Sequence, residues 1–244
     1  MGISELGLSP DEWLADILGR PVWRLAKGAG AQPLAELFSA DSGFAYAKCD
    51  VSDVNSVSRL VDKGFRIVDT ALTFDGSVAI DVPSSHVIRT ATGRDTDAVI
   101  GIAGSAFRFS RFHLDPDVPL ELANRIKAEW ASNFFSGRRG DGMVVAEADG
   151  QVIGFLQLIW DMGGLLIIDL IGIHPGFQGR GVGKAMIVHA SQFGTGDGRV
   201  PTGIKVGTQA ANIPSVRLYE SLRLRLRSAQ YVLHFHCSAT GSRP

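Results

Sequence analysis

An apolar segment that runs directly into a cluster of glycines is the feature that most constrains the fold of this chain. Leu165 to His174 is almost continuously apolar, and it is followed by Pro175-Gly176-Phe177-Gln178-Gly179-Arg180-Gly181-Val182-Gly183-Lys184. This pattern is typical of a strand, a tight turn and a helix. Glycines before a helix leave backbone N–H groups open toward an anion, and the helix dipole adds to them. We interpret the loop as a phosphate-binding turn, with an ordinary strand-to-helix turn as the alternative.

Two well-known phosphate loops do not fit this segment. A P-loop needs a glycine five positions before Gly183, where this chain has Gln178, and a serine or threonine after the lysine, where it has Ala185. A dinucleotide-binding loop that started at Gly179 would need glycine or alanine at Lys184. Such a loop also belongs to the opening strand-helix-strand unit, whereas this one lies late in the chain.

Composition excludes several classes of protein. The chain has 24 basic and 25 acidic residues, a net charge of -1, and 45% hydrophobic residues, which is typical of a folded globular chain. The charge balance argues against a nucleic-acid binder, and the sequence predicts neither a membrane anchor nor an export signal. Two cysteines, Cys49 and Cys237, are too few for a disulfide framework and fit a reducing compartment. We therefore expect a cytoplasmic protein.

Hydrophobic periodicity predicts two α/β units, a small N-terminal domain at 1–85 and a larger domain at 86–244. In the first unit we expect a helix that is capped by Ser9, has Pro10 in its first turn and ends at Gly19. The further elements predicted there are the strand Phe44–Cys49, the helix Val54–Lys63 and the strand Phe65–Phe74. The elements predicted for the second unit are the strand Val87–Thr90, the helices Ala98–Phe107 and Leu120–Phe135, the hairpin around Asp149-Gly150, the strand Leu165–His174, the helix Lys184–Phe193, the strand Thr202–Thr208, the helix Pro214–Leu222 and the strand Gln230–Cys237.

A weak internal similarity links the two units. Residues 48–66 align without a gap to residues 205–223, which places Asn55 on Asn212 and Arg66 on Arg223. Chance similarity between two helix starts is one interpretation. The other is that the N-terminal unit is a degenerate half-copy of the larger domain.

Two motifs carry a resemblance to a known family. Gln178-x-x-Gly181-x-Gly183 resembles the Gln/Arg-x-x-Gly-x-Gly/Ala motif of the GNAT superfamily of acetyl-CoA-dependent N-acetyltransferases, and the segment from Asn212 to Glu220 resembles that family's Asn-x-x-Ala/Ser-x-x-Leu-Tyr-Glu stretch. The resemblance covers about Val87 to Cys237. It implies an α/β (α+β) GNAT fold, a mixed, mostly antiparallel twisted sheet flanked by helices, here with a smaller N-terminal α/β domain. The chain departs from the family at Ser221-Leu222, where a Gly-Phe pair is usual, and this affects the last helical turn.

The resemblance also implies a cosubstrate, acetyl-CoA, and no metal. Tyr219 would act as the general acid beside the thioester sulfur, and Asp169 would help to remove the amine proton through water; an alternative is that Asp169 is a structural carboxylate. The residues that the resemblance implies for acetyl-CoA binding are Ile171, Gly172, Ile173, Gln178, Gly179, Arg180, Gly181, Val182, Gly183, Lys184, Asn212, Ser215 and Tyr219.

A further resemblance concerns the acceptor. The segment from Arg108 to His113, followed by a helix that carries Trp130, is similar to the corresponding region of the dTDP-fucosamine acetyltransferases, which acetylate an amino group of a nucleotide-activated sugar. It implies that Arg108, Arg111, Phe112 and Trp130 bind the acceptor. Arginines pair with diphosphates and aromatic faces stack on sugars or bases. The alternative is that the aromatic residues pack the loop and the arginines are solvated.

Three functions stay open at this point. The first is N-acetylation of a small-molecule amine, with an amino sugar on a nucleotide as the expected acceptor; the second is the same reaction on a protein or peptide; the third is a non-catalytic acetyl-CoA-binding module. We expect no nucleic-acid or membrane partner, and an exposed strand edge leaves a homodimer as an open alternative. His234 and His236 share a strand face, where a structural role is favoured over a metal.

Overall fold

Ten strands and six helices form the part of the chain that the structure, a computed structural model, describes: residues 7–26, 42–78 and 86–237. The strands are β1 Leu8–Pro10, β2 Val22–Leu25, β3 Gly43–Asp50, β4 Arg66–Gly76, β5 Val87–Thr90, β6 Gly142–Ala148, β7 Gln151–Trp160, β8 Leu165–Ile173, β9 Gly203–Gln209 and β10 Arg225–Cys237. The helices are α1 Glu12–Leu18, α2 Val54–Asp62, α3 Thr96–Ala106, α4 Leu120–Phe135, α5 Val182–Phe193 and α6 Ile213–Ser221. Among the described helices, none combines the length and apolarity that crossing a bilayer requires.

All ten strands belong to one sheet, in the order β1-β2-β3-β10-β4-β9-β8-β7-β6-β5. Two neighbouring pairs are parallel, β2 with β3 and β8 with β9, and the other pairs are antiparallel. Helices α5 and α6 share a hydrophobic core with Val144 and Ala146 on one face of β6, while α3 and α4 share a second core with Met143 and Val145 on the other face. The predicted mixed, mostly antiparallel sheet flanked by helices is therefore confirmed.

Local turn chemistry explains the hairpin between β6 and β7. Asp149 and Gly150 have φ angles of +50° and +75°, so both adopt the left-handed conformation of the turn that matches strand twist. The predicted bounds of Leu120–Phe135 and Val87–Thr90 are also confirmed. The structure therefore agrees best with the sequence where a turn signal or a long helical period is present.

The start of the first helix differs from its prediction. Ser9 and Pro10 lie in β1, and Asp11 caps α1 by accepting a hydrogen bond of 3.1 Å from the backbone N–H of Leu14. A carboxylate satisfies an open helical N–H as well as a serine hydroxyl does, so the start moves along the chain. The predicted end is confirmed, because Gly19 has a φ of +65° and closes the helix.

The N-terminal and C-terminal strand-helix-strand units interlock in the sheet. β10 lies between β3 and β4, and β4 lies between β10 and β9. Ala71 faces Gln209 in the β4–β9 pair, and Gln230 faces Asp50 in the β10–β3 pair. Gln230 lies 159 positions after Ala71, and Gln209 lies 159 positions after Asp50, so the two pairs are equivalent at one constant offset. An approximate twofold axis between β4 and β10 therefore relates the two units.

The helices of the two units follow the same offset. Asp53 and Asn212 are the N-caps of α2 and α6, and each accepts a hydrogen bond from the backbone N–H three residues later. Gly64 and Arg223 follow the helices at equivalent positions, with φ angles of +92° and +62°. Asn212 therefore corresponds to Asp53, and the gapless alignment with Asn55 was wrong by two positions. The boundary proposed at residue 85 lies outside the described residues, and the division into two domains stays a prediction.

A buried hydrogen-bonded cluster joins β10 to the loop before α4. The Asp115 carboxylate accepts hydrogen bonds from His234 Nδ1 at 2.6 Å and His236 Nε2 at 2.7 Å. Burial alone would raise the pKa of Asp115, but the two histidine hydrogen bonds hold it below its ordinary value. Burial lowers the pKa of His234 to about 4, since its Nε2 is buried without a hydrogen-bond partner in the described residues.

We expect acid to destabilise the fold through His234. The unfolded histidine takes up a proton near pH 6.5 and the folded one only near pH 4, so the unfolded state binds more protons between these values. This contribution is complete above pH 6.5, and about 2 kcal/mol is lost by pH 4.5. Chemical denaturation at several pH values measures it. In His234→Gln the free energy of unfolding should depend less steeply on pH. The stability of this variant at pH 8, where His234 of the parent chain is neutral, measures the effect of the substitution on packing alone. An unchanged slope would contradict this account.

Candidate active site

A cavity of about 710 Å³ opens where two parallel strands separate. The pairing of β8 with β9 ends at Ile168 and Val206, although β8 continues to Ile173 and β9 to Gln209. Both separated segments line the cavity. Their facing backbone groups are not joined to each other, so the gap can accept an extended ligand that pairs with the strand edges.

A β-bulge at Asp169 produces this separation. Gln157 of β7 pairs with Leu170 and Leu158 pairs with Ile168, so Asp169 is the extra residue. Ile168 packs toward α5, and Leu170 packs toward α3 on the opposite face. A regular strand would place residues 168 and 170 on the same face. The bulge therefore reverses the facing of the rest of β8 and bends it away from β9.

The glycine loop after β8 presents open backbone N–H groups. Gly179 and Gly181 have φ angles of +76° and +79°, and a Cβ added at either would meet no atom within 4 Å. Gly181 is the N-cap of α5, and within the described part of the chain no side chain caps this helix. Gln178 ties the loop to β8, because its Nε2 donates to the Ile173 carbonyl at 3.1 Å. An uncapped N-terminus beside open space is the geometry that a pyrophosphate needs, so the residues fit CoA.

Most residues that the resemblance implies for acetyl-CoA binding are brought together. Arg180 does not line the cavity, and its guanidinium lies 5.3 Å from the centroid of the Phe177 ring. The implied residues that line the cavity are Ile171, Gly172, Ile173, Gln178, Gly179, Gly181, Val182, Gly183, Lys184, Asn212, Ser215 and Tyr219.

Tyr219 lies at the inner wall of the cavity and is only 1% exposed. Its ring packs 5.7 Å from the ring of Phe74. Burial raises the pKa of Tyr219 above its ordinary value, and a hydrogen bond with Ser215 opposes this in part. The phenol therefore keeps its proton at neutral pH. Asn212 uses its side-chain oxygen to cap α6 at the Ser215 N–H.

The end of the cavity away from the glycine loop is built around Asp169. Its carboxylate accepts hydrogen bonds from Trp130 Nε1 at 2.8 Å, Arg139 Nε at 2.7 Å and Gln157 Nε2 at 3.1 Å. Arg139 Nη2 adds a bond of 2.5 Å to the other oxygen. Both oxygens are therefore occupied, and direct transfer of a proton to Asp169 would have to displace a donor or pass through water.

Two of the four residues predicted for the acceptor line the cavity, namely Arg108 and Trp130. Phe112 is 2% exposed and packs in the core that also contains Phe44. Arg111 lies 3.9 Å from the Tyr46 ring centroid and 4.4 Å from that of Phe112. Stacking on these rings holds the Arg111 guanidinium behind the cavity wall. This arrangement does not support acceptor contact for Arg111 or Phe112, and the prediction is corrected for both.

Three cavity-lining basic residues were not predicted: Lys48 on β3, Lys127 on α4 and Arg139 in the loop that follows it. The signal for Lys127 was present in the sequence. It lies between Ala123 and Ala131 at four-residue spacing, on the stripe of α4 that faces the core. Lys48 and Arg139 carry no comparable signal, because their place in the cavity depends on the interlocked sheet and on the Asp169 bulge.

The described residues contain one cluster with metal-binding atoms, Asp115 with His234 and His236, whose candidate ligand atoms lie within 4.8 Å of one another. It lies outside the cavity lining. Arg20 Nη2 lies 2.9 Å from His236 Nδ1 and brings a positive charge to the cluster. The expectation of no metal stays a prediction.

Comparison with known proteins agrees with this geometry. Spore coat polysaccharide biosynthesis protein SpsD of Bacillus subtilis is 33% identical over 141 residues, which cover 57% of this chain and 47% of that protein. The chain therefore matches about half the length of this relative.

Two solved structures show the same fold at low identity. A functionally unknown conserved protein from Staphylococcus epidermidis is 13% identical, with a TM-score of 0.60 over 88% of this chain and 83% of that one. A tandem GNAT protein from the clavulanic acid biosynthesis pathway is 12% identical, with a TM-score of 0.56 over 92% and 77%.

The match to a family model is the decisive comparison. The model of the acetyltransferase (GNAT) family matches residues 94–223, more than half of the chain. The matched range includes β8 with its bulge, the glycine loop, α5, β9 and α6, which are the elements that form the cavity. The chain belongs to the acetyltransferase (GNAT) family.

Proposed function

We propose that this chain is an acetyl-CoA-dependent N-acetyltransferase whose acceptor is a primary amine on an anionic small molecule, with a nucleotide-linked amino sugar as the expected acceptor. The charge of the cavity carries this proposal. The described residues that line the cavity include five basic side chains, Lys48, Arg108, Lys127, Arg139 and Lys184, and one acidic side chain, Asp169. The whole chain has a net charge of -1, so this surplus of positive charge is local.

The proposed cofactor half uses the backbone. Acetyl-CoA, when bound, supplies the acetyl group as a thioester. The N–H groups from Gln178 to Lys184 would hold its pyrophosphate, helped by the dipole of α5. The separated edge of β8 beyond Ile168 would pair with the extended arm and donate to the developing oxyanion.

The proposed acceptor half uses charge and an aromatic face. Arg108 would pair with a diphosphate, and Trp130, which Asp169 holds by its indole N–H, would stack on a sugar or base. The name of the Bacillus subtilis relative places that protein in polysaccharide biosynthesis, which supports a sugar acceptor for this chain.

The residues around the reacting atoms suggest direct transfer. A neutral amine held beside the thioester would attack its carbonyl, the C–S bond would break, and Tyr219 would give its proton to the departing sulfur and regain one from solvent. Asp169 would steer the amine and take up its proton through a water molecule. In this scheme neither Cys49 nor Cys237 is a nucleophile.

The two alternatives fit the cavity less well. A site for lysine side chains or polyamines would need acidic groups to attract cations, and the described lining has one acidic side chain, which pairs with Arg139. A module that only binds acetyl-CoA has no use for a protonated phenol at the inner wall, where Tyr219 lies.

Acceptor selectivity tests the proposed function. A nucleotide-linked amino sugar should be acetylated with kcat/KM at least about 100-fold above that of the free amino sugar, a peptide or a polyamine, because each charge-assisted contact adds affinity. Release of free CoA thiol measures the rate. Preference for a peptide or a polyamine would overturn the acceptor class.

Gly183→Val tests the cofactor half. An added Cβ at Gly183 would lie 3.4 Å from Leu218 and 3.7 Å from Ile171, so the larger side chain extends into the cleft beside β8. We expect acetyl-CoA affinity to fall at least about 100-fold in calorimetric titration. Gly101→Val is the matched control, since Gly101 is also helical but has open space around its Cβ position. Equal affinity in the Gly183 variant would contradict the site.

Tyr219→Phe tests the general acid. Phenylalanine keeps the contact with Phe74 and removes only the hydroxyl. Loss of a proton donor should lower kcat by roughly 10²–10⁴ and leave acetyl-CoA affinity nearly unchanged. Steady-state kinetics and titration measure the two effects separately. If kcat stays within about threefold while chemistry limits the rate, another group donates the proton.

A further inference from the structure

Lys127 is a buried cation that faces the cavity without an acidic partner of its own. It is 8% exposed, and its Nζ lies 4.9 Å from the Phe107 ring centroid and 4.7 Å from that of Trp130. Within the described residues Lys127 has neither a hydrogen bond nor an ion pair. Burial and, to a lesser extent, the nearby positive charge of Arg111 lower the pKa of Lys127 to about 8, and Asp169 opposes both effects in part. Burying an unpaired charge destabilises a fold, and an anionic ligand bound beside Lys127 would compensate its charge.

Lys48 reaches the same cavity from the N-terminal unit. It pairs with Val232 of β10, which pairs in turn with Asp69 of β4, so Lys48 and Asp69 lie on the same face across three strands. The Lys48 side chain is exposed to solvent at the cavity; the protein atoms around it and the charge of Arg111 lower its pKa, and Asp69 opposes both effects. Burial raises the pKa of Asp69 to about 6, so this carboxyl compensates Lys48 least at acidic pH.

The remaining charges at this end do not neutralise Lys127. Arg108 and Arg139 are basic, and Arg111 lies behind the wall. The one acidic residue of the described lining, Asp169, is within electrostatic reach of Lys127, but Arg139 forms two hydrogen bonds with it. The aromatic faces of Phe107 and Trp130 take the place of part of the water around the Lys127 ammonium, which strengthens its attraction for an anion.

We propose that Lys127 and Lys48 together form a subsite for a phosphate oxyanion of the acceptor, so that the N-terminal unit takes part in acceptor recognition. This deepens the proposed function and rests on it for the reaction. The subsite itself is a binding property, and it can be measured without turnover.

The binding experiment uses pyrophosphate as the probe on the full chain saturated with CoA, which keeps the glycine loop filled. Lys127→Met should weaken pyrophosphate binding at least 30-fold in calorimetric titration, and Lys48→Met at least fivefold. Lys127→Arg should keep affinity within about fivefold of the parent chain. Lys63→Met is the matched control, since Lys63 is an exposed lysine outside the cavity lining, and it should bind as the parent does. Equal binding by Lys127→Met and the parent would overturn the subsite.

A kinetic experiment separates the subsite from the proposed function. Lys127→Met should raise KM for a nucleotide-linked amino sugar at least 30-fold and change KM for the free amino sugar less than threefold. Equal changes for both acceptors would overturn the subsite and leave the acetyltransferase proposal intact. If no amine is acetylated by the parent chain, the proposed function fails, and pyrophosphate titration still decides the subsite.

Two readouts exclude other roles for Lys127. A structural role predicts a lower Tm for Lys127→Met, whereas a binding role predicts an equal or higher Tm, because methionine fills the same volume without a buried charge. A proton-accepting role predicts that Lys127→Arg loses kcat and the acidic limb of the pH profile. Either result would overturn the proposal.

Discussion

The bulge at Asp169 is the constraint on which the site depends. Without the extra residue, β8 would continue its pairing with β9 beyond Ile168, and the cavity would close into a regular sheet. Asp169 also orders the far end of the cleft, because its carboxylate accepts hydrogen bonds from Trp130 on α4 and from Arg139 in the following loop. One irregularity in one strand thus opens the cleft and fixes the side chains at its far end.

The interlocked sheet explains why the N-terminal unit bears on the site at all. One edge of β9 loses its pairing where β9 separates from β8. The other edge pairs with β4, so the backbone of β9 is not left unpaired on both sides. The parallel pairing of β2 with β3 repeats that of β8 with β9 at the other end of the repeat. The strands β3, β4 and β10 therefore protect the edge of β9, and residues on them add a wall to the cavity.

Local signals in the sequence were enough for most of the elements and for the glycine loop that opens onto the cavity. The Asp149-Gly150 turn, the helical period of α4 and the glycine loop each depend on neighbours within a few residues. Among the strand segments that were missed, β1 spans only three residues, and in the first part of β10, Arg225 to Ala229, the large apolar residue Leu226 is exposed and the pairing shifts register between Leu226 and Ser228. Arg111 was assigned to the wrong surface, since an arginine's stacking partner, here Tyr46, is brought in from another part of the chain.

The basic lining on which the proposed acceptor site rests could not be predicted, because it is a property of charge summed in three dimensions. Lys48 on β3 and Lys127 on α4 line the same cavity only because the sheet interlocks. A chain with near-balanced charge gains stability when opposite charges pair, so an unpaired cation on a core-facing stripe lowers the stability of the free protein. Proteins keep such destabilising charges at sites that bind a ligand or catalyse a reaction. The buried, unpaired charge of Lys127 is therefore the best guide to what the cavity binds, and because this charge is positive it favours an anion.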